Sequence, residues 1–253
     1  YQMICYTSKD GKNRYKPRFT IMGFRYVKVI TEIPLEHACF TAHAVYSDMK
    51  QTAAFTCSNP LVNQLVKNAV WSQKGNFCGI PTDCPTRERA GWTGDAGLFV
   101  DTGLTLMDCY PVYRYFLAQC RYGQDPDGRL ANIAPPNNRP GFISKMLSAS
   151  VGWGDACILI PYAMYQQYGD TRILEENYDM MKKWYGFLEK TARKKSLKHL
   201  FRKGKYRTYT MESGMNYGEW CEPGSNPREG MRSGNYDVST AYYAYSGKML
   251  AEI

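Results

Sequence analysis

Hydrophobic and polar positions change their period once along this chain. Over residues 1–50 the stretches KPRFTIMGFRYVKVIT and FTAHAVYS mix β-branched and aromatic residues around Gly23 and Pro34, the pattern of strands. Beyond about residue 51 the period becomes helical. Ser58 or Asn59 can cap a first helix with Pro60 at its opening position, and Leu61, Leu65, Val66 and Ala69 recur at helical spacing to about Gln73. A second helix is predicted from Gly94 to Met107 and a third from Pro111, carrying Tyr115, Phe116 and Cys120. A fourth runs near Gly154 to Tyr168, interrupted at Pro161. Asp170 caps a fifth, Thr171 to about Thr191, with Ile173, Leu174, Tyr178, Met181, Trp184 and Leu188 on one face. A sixth opens near Asp237. Helices joined by irregular loops, with no strand alternating between them, predict packed helical hairpins in place of a parallel α/β sheet.

The loops carry the polar and aromatic residues: GIPTDCPTRERAGWTGD, QDPDGRLANIAPPNNRPGF, SVGWGDA and MNYGEWCEP all fall at helix ends. The first is the most informative. Its prolines resist helix, and it sets Asp83, Glu88 and Asp95 beside Arg87, Arg89 and Trp92. If the carboxylates converge, their mutual repulsion raises the pKa of one so that it donates a proton near neutrality, while the arginines keep the others ionised. The plainer alternative is a solvated loop with surface ion pairs. Glycoside hydrolysis needs such an acid beside the leaving oxygen, a second carboxylate across the ring, and an apolar platform for the sugar face. Trp92, Trp153 and Trp220, each in a Gly-containing loop, offer platforms, although each taken singly also fits a core position. If they are platforms, all three should line one concave cleft with Asp83, Glu88 and Asp95. Asp155 reads as a helix cap, and Glu219 and Glu222 read either as substrate-side carboxylates or as exposed loop charges.

Composition narrows the partners. The net charge of +9 is concentrated in eight cations between Arg193 and Arg207 with no acid among them, leaving the remainder close to neutral. That segment is a solvated helix end or a docking surface for an acidic polymer; the distribution argues against nucleic acid. Nine scattered cysteines without a CxxC pair read as buried free thiols, which favours a cytoplasmic setting without excluding export. Three dispersed histidines argue against a His-based metal site. No glycine-rich stretch has a nucleotide-binding pattern, and no apolar run reaches membrane-spanning length.

PTDCPTRERAGWTGDA resembles the signature loop of bacterial α-L-rhamnosidases of glycoside hydrolase family 78. The resemblance extends through SNPLVNQLVKNAVWSQKGNF before it and through SVGWGDA and YQQYGDTRILEENY after it. It implies a mainly α fold: residues 51–253 as the first half of an (α/α)6 catalytic barrel, and residues 1–50, with RYKPRFTIMGFRYVKV, as the last strands of a β-sandwich domain. It also implies inverting hydrolysis of a rhamnose-containing glycan without metal or organic cofactor. Carried over by motif, Glu88 is the general acid, Asp83, Arg87, Trp92 and Asp95 contact or orient the rhamnose ring, and Trp153 and Trp220 wall the site. The family's base is expected beyond residue 253, so the span alone is expected to be inactive. Glu219 stands where relatives usually show Asp, and 193–207 matches nothing in the family. The competing readings are a helical-barrel hydrolase of another deoxysugar or an acidic glycan, and a non-catalytic carbohydrate-binding remnant.

Overall fold

The structure is a computed structural model and describes residues 2–32, 34–36, 38–136, 148–194, 204, 206–214, 216–220, 223–224 and 236–253. Among the described residues six α-helices organise it: α1 Pro60–Asn76, α2 Thr93–Leu106, α3 Tyr110–Tyr122, α4 Ala156–Tyr168, α5 Arg172–Arg193 and α6 Tyr236–Glu252. A two-residue ribbon, β1 Phe77–Cys78 against β2 Ile80–Pro81, turns through Gly79 at φ +87°.

Local chemistry explains the helix ends. Asn59 accepts the Leu61 amide at 2.9 Å with Pro60 in the first turn of α1. Asp170 accepts the Arg172 amide at 3.0 Å, and Gly169, left-handed at φ +67°, closes α4. Pro161 does not interrupt α4 as expected. It removes one backbone bond, but α4 is buried along most of its length and packs against both α2 and α5, which hold the turns on either side in line.

The core lies where α2, α4, α5 and α6 meet, with Phe116 and Leu117 of α3 added. Gly97 lets α2 approach α4, since a Cβ there would already stand 3.3 Å from that of Ala156. The stripe on α5 is as predicted except at Tyr178, which is exposed, while Asn177 is buried instead. Asn177 tolerates burial because its amide donates to the Ile173 carbonyl at 2.7 Å and its oxygen accepts from Arg121. On α1, Val66 and Ala69 pack against the core, but Leu61 and Leu65 are 78% and 66% exposed.

The strands expected within residues 1–50 do not form among the described residues. A strand needs a neighbour that continues its ladder, and the segment makes isolated contacts instead: Gly23 N–H donates to Pro85 O at 3.1 Å, Ser47 N–H to Phe77 O of β1 at 2.7 Å, and Gln51 bridges Met107. Nor are the thiols uniformly buried. Cys109, Cys120 and Cys157 are, whereas Cys5, Cys39 and Cys78 are exposed and Cys57 and Cys84 half-buried; Cys221 lies outside the described residues. Most of the basic segment lies outside them too. No described helix is long and apolar enough to cross a membrane.

Candidate functional site

The loop between the ribbon and α2 is closed by its own backbone. Asp83 N–H donates to Ala90 O at 3.1 Å, and the Ala90 amide returns to Asp83 Oδ1 at 3.0 Å, so Asp83 serves as the clasp of the loop that carries Glu88. Glu88 N–H donates to Cys84 Sγ at 3.2 Å. Gly91 lies so close to the next loop that a Cβ would stand 2.0 Å from Ala134 O, and its carbonyl accepts the Ala134 amide at 2.8 Å. This contact fixes Trp92, whose indole Nε1–H donates to Glu88 Oε2 at 2.7 Å. This bond holds one carboxylate oxygen of Glu88 against the indole.

Asp95 stands in the first turn of α2. Its side chain reaches solvent, yet burial of its surroundings raises its pKa and the charges of Asp83 and Glu88 push the same way, against its own backbone amide. The charges of Asp83 and Glu88 thus bear on Asp95, as smaller contributions than its burial. The arginines behave differently from expectation. Arg87 is exposed, Arg89 donates to Ile21 O at 2.5 Å, and neither pairs with Asp83, Glu88 or Asp95 among the described residues.

Trp92, Trp153 and Trp220 converge, and the residue that gathers them is Tyr217. Its ring meets Trp92 at 6.2 Å, Trp153 at 4.9 Å and Trp220 at 5.2 Å, each edge-to-face. Polar contacts hold this ring in place: Asn132 Nδ2 donates to the phenol oxygen at 3.2 Å, and Tyr217 N–H donates to Ser150 Oγ at 3.0 Å. Asn132 Oδ1 accepts the Ser150 amide and its carbonyl accepts the Thr93 amide, both at 2.9 Å, so one asparagine links all these loops to the start of α2. Trp153 lies on Gly94, where a Cβ would come within 2.8 Å of the indole. Trp220 is 42% exposed and forms the outer edge. Tyr217 and Asn132 escaped the sequence reading; the available signal was that each stands in one of its aromatic or polar loops, Tyr217 directly before Gly218.

One part of the expected geometry differs. An open cleft of about 330 Å³ is lined by Asp83 and Asp95 together with Gln73, Phe77 and Phe99, and not by the indoles. Trp92, through Glu88, joins the aromatic cluster to the carboxylates. Glu219 is exposed, and Glu222 lies outside the described residues. Asp155 is buried and does not cap α4 with its side chain. The described residues contain no group of three or more His, Cys, Asp or Glu side chains placed to hold a metal ion.

Packed helices with a carboxylate–indole loop leading into α2 fit a mainly helical glycosidase domain as the class. Residues 50–253 match the bacterial alpha-L-rhamnosidase six-hairpin glycosidase domain, and the chain belongs to that family. An alpha-L-rhamnosidase of Formosa agariphila is 34% identical across 97% of this chain and 25% of its own length; one of Alteromonas sp. is 33% identical across 94% and 25%. The chain thus spans about a quarter of the length of these relatives. Among solved structures, Streptomyces avermitilis alpha-L-rhamnosidase complexed with L-rhamnose superposes with a TM-score of 0.66 at 30% identity, covering 82% of this chain and 18% of that one. The alpha-L-rhamnosidase from Dictyoglumus thermophilum gives 0.67 at 33% identity, covering 82% and 21%.

Proposed function

We propose that this chain supplies the acid side of an inverting α-L-rhamnosidase site, acting on a terminal rhamnose of a glycan or glycoside. The observation that carries the reading is the Trp92–Glu88 hydrogen bond at 2.7 Å beside three indoles gathered on Tyr217. Glu88 gives its proton to the glycosidic oxygen as the C1–O bond breaks and an oxocarbenium-like state develops. A water on the opposite ring face, deprotonated by a second carboxylate, bonds to C1 and completes inversion. That base is assigned to no residue of this chain. Asp83 and Asp95 take hydroxyl protons of the ring as hydrogen-bond acceptors, Arg87 orients it, and Trp92, Trp153 and Trp220 cover its apolar face.

The finer architecture belongs to the same reading: residues 51–253 form the first half of an (α/α)6 barrel, and residues 1–50 are the end of a β-sandwich domain that gains its strand partners from elsewhere in the full-length protein. The family membership favours rhamnose over another deoxysugar, and the Trp92–Glu88 bond favours catalysis over binding alone. The test is to follow hydrolysis of an aryl α-L-rhamnoside by the full-length protein with proton NMR. β-L-rhamnose appearing first supports the proposal. Initial α-L-rhamnose, or binding without turnover, refutes it.

A further inference from the structure

We propose that Asp155 is a positioning residue for the aromatic wall, acting through Gly152 on Trp153; the inference rests on the sugar-binding role proposed for that wall. Asp155 occupies the residue before α4, where a carboxylate ordinarily accepts the first helical amides. Its side chain turns away from the helix. Oδ2 accepts the Gly152 amide at 2.7 Å, and Oδ1 accepts from Trp184 Nε1 at 3.3 Å and from Ser246 Oγ at 2.5 Å.

Asp155 is completely buried. A carboxylate in that position is costly, and a core of matched shape would be at least as stable without it, so burial alone gives no reason for its presence. The donor set does. A backbone amide from the turn, an indole from α5 and a hydroxyl from α6 all point inward, and only an acceptor-only group satisfies the three together. Burial raises the pKa of Asp155 while these three donors oppose the rise.

What the bonds secure is the turn 150–155. Gly152 is left-handed at φ +92°, and Gly154 is pressed against Trp184, where a Cβ would meet the ring at 2.3 Å. Between these two glycines stands Trp153, with its indole on Gly94, beside Asp95, and its edge on Tyr217. Asp155 itself touches none of the residues assigned to the sugar. It transmits the positions of α5 and α6 to the ring that does.

The test uses the full-length protein carrying Asp155→Asn, labelled with 5-fluorotryptophan, the Trp153 resonance being assigned by its loss in Trp153→Phe. The fluorine resonance of Trp153 is expected to shift or broaden in the sugar-free variant. L-Rhamnose affinity should weaken about tenfold and KM for an aryl rhamnoside should rise in step, with kcat changing less than about threefold, because ring placement is lost while Glu88 is retained. Leu188→Ala, a core change, is expected to lower thermal stability yet leave both the Trp153 resonance and the affinity as in the parent. Should Asp155→Asn not accumulate, Ser246→Ala removes one donor and should move the same resonance less. An unchanged Trp153 resonance in the variant examined, or an equal response to Leu188→Ala, overturns the proposal. A parent protein that binds no rhamnose refutes the functional reading instead, and the fluorine spectra still decide the role of Asp155.

Discussion

Replacing Tyr217 separates ring packing from polar anchoring in the aromatic cluster. Tyr217→Ala removes three edge-to-face contacts at 4.9, 5.2 and 6.2 Å. Such contacts contribute about 0.5–1.5 kcal/mol each beyond area burial. Truncating a large aromatic ring in a packed setting costs about 3–5 kcal/mol in total; the half-buried position of this ring places it at the lower end, about 3 kcal/mol. For a domain of this size that corresponds to roughly 6–12 °C in Tm. Tyr217→Phe keeps all three ring contacts and disturbs the phenol oxygen that accepts from Asn132, worth about 1 kcal/mol or 2–4 °C. Calorimetry gives the stability, and rhamnoside KM reports whether Trp92, Trp153 and Trp220 still form a wall. The expected order is parent, then Tyr217→Phe close below, then Tyr217→Ala far below in both measures. Equal losses from Phe and Ala would show that the phenol bond, and not the ring, organises the cluster.

Other predictions follow from single contacts. Gly91→Ala drives a Cβ into Ala134 O and must move Trp92 relative to Glu88, so hydrolysis should fall by about 10²-fold or more with helical circular dichroism unchanged; full activity would refute the fit of this loop. Asp95 has a folded pKa raised above the ordinary 3.8, so its ionisation disfavours the folded state: the penalty is absent below that value and grows as pH rises through it. Asp95→Asn should therefore gain stability at pH 7, by less than about 1 kcal/mol because the side chain reaches solvent, with no gain near pH 3, while losing activity; thermal melts across pH check the sign. The 253 residues purified alone should self-associate, because Leu61, Leu65 and Leu98 are exposed, Leu98 at 73%, and should hydrolyse no rhamnoside, because the proposed mechanism assigns its base to none of them. Light scattering and direct assay test this, and a monodisperse, active monomer would contradict it.

Features set by neighbours in sequence were the legible ones. The Asn59–Pro60 start of α1 and the apolar stripe of α5 depend on residues within a turn or two of one another, and both are found in place. Tyr178 shows the limit: it lies at the edge of the stripe, and solvent takes it while Asn177, satisfied by Arg121 and Ile173, goes inside. The β-branched and aromatic residues around Gly23 predicted strands that do not form among the described residues, because a strand exists only with a ladder partner, which composition cannot supply. Within the site, Glu88 and Trp92 were legible as a pair because they stand four positions apart. Tyr217 was not, since it joins indoles that lie as far as 125 positions away along the chain. Asp155 was read as a cap because its position is that of one; its side chain obeys donors on α5 and α6.

The central claim is that Glu88 is the proton donor, and its most direct test is the leaving-group dependence of Glu88→Gln in the full-length protein. Glutamine keeps the shape and an oxygen for Trp92 Nε1–H but has no transferable proton. Glycosides with poor leaving groups should be hydrolysed roughly 10²–10⁴-fold more slowly, and aryl rhamnosides with strongly acidic phenols should lose far less. Parent-like rates on the poor leaving groups would remove Glu88 from the acid's role.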